Sequence, residues 1–72
     1  MEYLIIYQME NLSINVCTID YFNTVQDIVS VYRWTMVLID NPTGFIRQVH
    51  EGKVSWEFLN TALNNQLTIN NN

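Results

Sequence analysis

Apolar positions along this chain repeat with two different periods, and each period predicts a different element. Residues 3–9 are mostly apolar and read as a strand. Over 12–18, Leu12, Ile14 and Val16 alternate with Ser13, Asn15 and Cys17, the period of two expected of a strand with one buried face. Glu10-Asn11 between them predicts a tight hairpin turn, because Asn tolerates the left-handed backbone such turns use.

The period then lengthens. Asn23, with Gln26 three residues on, forms a helix-start signal. At 100° per residue, Val25, Ile28, Val29, Val31, Tyr32 and Met36 fall on one arc, and Gln26, Asp27, Ser30 and Arg33 on the other. Trp34 falls among the polar positions. We therefore expect the helix to end near Arg33 and a strand to begin at Trp34, rather than a longer helix exposing the indole. Residues 35–39 read as a strand, Asp40-Asn41-Pro42-Thr43-Gly44 as a turn, and Phe45–Val49 as the returning strand of a second hairpin. The competing reading of this segment is a short helix over 43–51, capped by Thr43 and ended by Gly52. From Ser55, a capping residue, Trp56, Phe58, Leu59, Ala62, Leu63 and Leu67 share one helical arc, and Glu57 favours the first turn.

The expected order is strand, strand, helix, strand, strand, helix. This predicts a small two-layer α+β domain of about four antiparallel strands in two hairpins, with two helices on one face. It would occupy residues 1–67 as a single globular domain, followed by a polar tail at 68–72. Fifteen Ile and Val residues against seven Leu and Ala support the sheet. Tyr3, Ile5, Tyr7 and Met9 share one face of the first strand while Leu4 and Ile6 share the other, so both faces need cover.

Composition narrows the function classes. Of 72 residues, 49% are apolar and 14% charged, a balance that favours folding over disorder and leaves few charges to coat a small domain. Apolar surface left exposed in this way points to an interaction site. The net charge of −4, with Arg33, Arg47 and Lys53 as the only Lys or Arg residues, argues against direct nucleic-acid binding, which needs clustered cations. It favours a partner protein with a basic surface. No run of about 18 apolar residues exists to span a membrane, and the first ten residues lack the basic flank of a secretory signal. A lone thiol, Cys17, suits a reducing compartment, so the expected location is the cytoplasm of a cell or of an infected host.

Candidate chemistry is sparse. One Cys and one His cannot build an ordinary zinc site within one chain. Cys17 and His50 are the sole candidate nucleophile–base pair, on predicted strands in an acidic chain that does not favour a thiolate. The carboxylates are scattered, and Gly44 and Gly52 are the only glycines, so no phosphate loop is present. No cofactor is expected.

The reading is a small acidic non-catalytic module that binds a larger protein. Its size and composition suit an accessory protein of a virus or mobile element that inhibits a host nucleic-acid-handling or defence protein. The alternatives are a structural homo-oligomer, such as a homodimer, and a minimal Cys-dependent enzyme. The interface candidates are Tyr3, Tyr7, Arg33 and Trp34, from the aromatic surplus, with Asp20, Asp27 and Asp40 as acidic docking positions.

Overall fold

The computed structural model describes residues 1–65. Strands β1 (Glu2–Met9) and β2 (Ile14–Thr18) lead into helix α1 (Ile19–Val25). Strand β3 (Val31–Ile39) follows, and helices α2 (Pro42–His50) and α3 (Trp56–Asn65) close the order. The sheet is antiparallel with β1 central, in the order β2-β1-β3. The α+β class and the first hairpin agree with the sequence reading. Among the described residues three strands replace four, and three helices replace two. Leu67 and the tail at 68–72 lie outside the described residues.

Both faces of β1 are covered, which answers the demand made by its two apolar rows. Leu4, Ile6 and Val16 on one face pack with Leu59 and Leu63 of α3, and Phe45, Ile46 and Val49 of α2 lie against this cluster. Ile5, Tyr7 and Cys17 on the opposite face pack with Phe22 and Val25 of α1. The helices therefore lie on both sides of the sheet rather than on one. Leu4, Ile5, Ile6 and Leu59 are all but sealed from solvent, and burying side chains of this size contributes about 1.5–3 kcal/mol each.

Segment 19–34 departs from the expected pattern for a definite reason. The helix starts five residues early, where the Thr18 hydroxyl accepts from the Tyr21 amide and Asp20 sits in the first turn. It ends by Val25, because Val29 and Val31 reach the same core through turn and strand instead. Ile28, expected on the buried arc, is 77% exposed. Trp34's place on the polar side of the helical projection was the local sign that the strand had already begun, at Val31.

The predicted second hairpin is replaced by α2. Asn41, not Thr43, is the cap, its Oδ1 accepting from the Gly44 amide at 3.2 Å. Pro42 stands at the helix start, where its missing N–H leaves nothing unsatisfied. A β-carbon on Gly44 would run into the Asn41 side chain, so this glycine makes room for the cap rather than for a turn. At the other end Gly52, at φ +77°, closes the helix. The Gly52 amide donates to the Val49 carbonyl and the Lys53 amide to that of Gln48, the double bond of a Schellman stop.

Candidate functional site

The hairpin between β1 and β2 is one residue longer than the expected two-residue turn. The Leu12 amide donates to the Met9 carbonyl at 2.8 Å, and the Met9 amide to that of Ser13 at 3.0 Å. This is a three-residue loop whose last member occupies the left-handed position that glycine normally fills. Here that member is Leu12, at φ +73° and the only described non-glycine residue with positive φ. Its conformation is fixed from both sides. Asn11 Oδ1 accepts from the Ser13 amide at 3.0 Å and from its hydroxyl at 2.7 Å, and Gln8 Nε2 donates to the Leu12 carbonyl at 3.0 Å. A left-handed non-glycine residue costs roughly 1–2 kcal/mol, yet the side chain held this way buries little: Leu12 is 65% exposed.

The exposed Leu12 has company. With Ser13, Ile14 and Trp56 it lines a groove of about 340 Å³. Trp56 opens α3 and is 60% exposed. The Ser55 hydroxyl, capping α3 by accepting from the Phe58 amide at 3.1 Å, fixes that first turn. A second groove of about 300 Å³, lined by Phe45, Lys53, Val54, Ser55 and Phe58, flanks the same turn. Phe45 and Phe58 meet at a ring-centroid distance of 6.4 Å. Glu57 stands between the two aromatics in sequence and Glu10 two residues before Leu12, while Lys53 is paired with Glu51 at 3.2 Å.

The residues singled out from the sequence are distributed differently. Tyr7 is buried, its ring 5.5 Å from Phe22, and its cross-strand neighbour Trp34 packs against Phe22 at 5.3 Å. Burial also raises the Tyr7 hydroxyl above its ordinary range, with Cys17 and Tyr21 adding to the effect. Arg33 is held within the fold by Gln8, Asn60 and Asn64. These three side chains thus serve internal packing. Tyr3 is exposed and shares a groove of about 350 Å³ with Glu2, Asp20 and Thr43. Asp27 and Asp40 are exposed on separate turns.

Cys17 and His50 do come to line one groove, with Val16, Thr18, Tyr21 and Ile46. Cys17 is buried, and burial pushes its thiol up to about 11, so it stays protonated at neutral pH. An activated nucleophile needs the opposite shift. Among the described residues no three His, Cys, Asp or Glu side chains converge as metal ligands would, and no helix is long and apolar enough to cross a membrane.

Sequence reasoning missed Leu12 and Trp56 because each was assigned to a buried face. The available signal for Leu12 was the absence of glycine from a hairpin that needs one left-handed residue. No family model matches the chain, and no curated protein or solved structure matches it either.

Proposed function

We propose that this chain is a non-catalytic binding module that recognises a larger protein through the Leu12–Ile14–Trp56 groove. The observation that carries the reading is Leu12, an exposed apolar side chain held in a backbone conformation that disfavours it. Strain of this kind clusters at binding sites, where surrounding contacts over-determine it. Trp56 supplies the large aromatic surface typical of a binding hot spot. Glu10 and Glu57, close in sequence to Leu12 and Trp56 and both exposed, favour a partner presenting an apolar side chain flanked by basic residues, in keeping with the net charge of −4.

The test compares proteins captured by the immobilised wild type, by Trp56→Ala and by Tyr21→Ala. Both substituted residues are exposed, and they lie on helices covering opposite faces of the sheet. The expected result is a protein retained by the wild type and by Tyr21→Ala but lost from Trp56→Ala. Retention that ignores Trp56 would remove this groove as the recognition site.

A further inference from the structure

β3 ends the sheet, and its outer edge has no backbone partner among the described residues. Edge strands are normally guarded by Lys, Pro, bulges or shortness. Val31–Ile39 is nine residues long and contains no Pro, Lys or acid. Its one charge, Arg33, is bonded to Gln8 and to α3. A register shift between Gln8 and Met9 leaves Tyr32 without a partner, so the regular part of β3 runs from Arg33 to Ile39. Within it Leu38 is 49% exposed beside its cross-strand neighbour Tyr3, which is itself exposed.

We propose that this edge pairs antiparallel with the same edge of a second copy of the chain, about a two-fold axis at Met36, to give one six-stranded sheet. The seven regular residues are centred on Met36, so this register uses all of them. A two-fold axis normal to the sheet keeps the same face upward in both copies. Directly opposite pairs are then Met36 with Met36, Thr35 with Val37, Arg33 with Ile39, and Trp34 with the exposed Leu38. Apolar and aromatic pairs of this kind are the stabilising unit of a sheet. Asp40 of one copy falls opposite Tyr32 of the other, so this register sets no like charges directly opposite each other. This surface is separate from the Leu12 groove, and the pairing does not rest on that reading.

Sedimentation velocity over about 1–100 µM, where weak self-association shows, is expected to report a dimer. Leu38→Lys places a guard charge at an exposed edge position. It should raise the dimer dissociation constant at least about tenfold, as the cost of desolvating an ammonium opposes pairing, with the circular dichroism spectrum unchanged. In a Cys17→Ala background, Met36→Cys should form an interchain disulfide on oxidation. Residues on the axis have Cα atoms about 4.5–5.5 Å apart, within disulfide reach. Leu38→Cys should not, since its equivalent in the second copy lies about 13 Å along the strands. A monomer at every concentration, a Leu38→Lys dimer of unchanged affinity, or a disulfide at 38 and not at 36 would each overturn the pairing. Should Met36→Cys fail to fold, sedimentation of the wild type and of Leu38→Lys still decides.

Discussion

Arg33 Nε donates to Gln8 Oε1 at 2.7 Å, joining neighbouring residues of β3 and β1 on the face that carries α3. The contact is one link in a longer chain. Gln8 passes its own amide hydrogen to the Leu12 carbonyl, while the Arg33 guanidinium reaches Asn60 and Asn64 of α3. The hairpin tip and α3 are thereby tied through one arginine, and these are the two elements that present Leu12 and Trp56. Asn60 and Asn64 stand one helical turn apart, the spacing a planar fork can grip.

Arg33→Ala should therefore lower stability by about 1.5–3 kcal/mol, the usual range for hydrogen bonds to a charged group. Arg33→Lys should recover only part of the loss, because an ammonium cannot hold three divergent acceptors in one plane. Urea denaturation of the three proteins checks this. Equal stability of wild type and Arg33→Ala would show that the network does not hold α3 to the sheet.

Thr35 is 1% exposed, and its hydroxyl has no hydrogen-bond partner among the described residues. An orphaned buried hydroxyl carries a desolvation penalty, and an apolar group of the same shape removes it. Thr35→Val should raise stability by about 1 kcal/mol, read as an increase in the urea midpoint with unchanged slope. A destabilised valine variant would mean the hydroxyl has a bonding role.

The Cys17 thiol, at about 11 in the fold against 9.0 ordinarily, makes stability depend on alkaline pH. Folding favours the protonated thiol, so this contribution is complete below pH 9 and is lost as pH rises through 11. Tyr7, raised in the same direction, adds to the loss above its ordinary value of 10.0. Melting temperature should fall across this window, and Cys17→Ala should fall less. Below pH 8, alkylation of Cys17 should be far slower in folded than in unfolded chain. Rapid labelling of the native protein would contradict the burial.

The sequence made some of this architecture legible and concealed the rest for physical reasons. The β1–β2 pairing was readable because alternation and the Asn11 turn agreed, and α3 because a Ser55 cap led into a clean helical arc. Phe45, Ile46 and Val49 fit a strand and a helix almost equally in so short a segment. The deciding features, the Asn41 cap with Pro42 behind it and the Gly52 stop, are local, and they were outweighed by the turn-like look of Asp40–Gly44. Val29 and Val31 satisfied a helical projection although turn and strand carry them into the same core. The candidate site was hardest to see. Leu12 looks like a core residue of an alternating strand until the hairpin is one residue longer, and that shift alone takes it out of the ladder. Arg33 and Trp34 read from the sequence as an interface pair, and nothing there announced that Asn60, Asn64 and Phe22 would also engage them within the fold.

The central claim is that Leu12 is kept in a glycine's conformation for the sake of the surface it presents. Leu12→Gly tests it most directly when stability and partner capture are read on the same protein. Removing the β-carbon relieves the left-handed strain, partly offset by the greater freedom of glycine in the unfolded chain, so stability should rise by about 0.5–1 kcal/mol. Capture of the Trp56-dependent partner should be lost. A variant that is more stable and no longer binds would show a side chain retained for recognition at the expense of the fold. One that is less stable, or that binds as well as the wild type, would contradict the account.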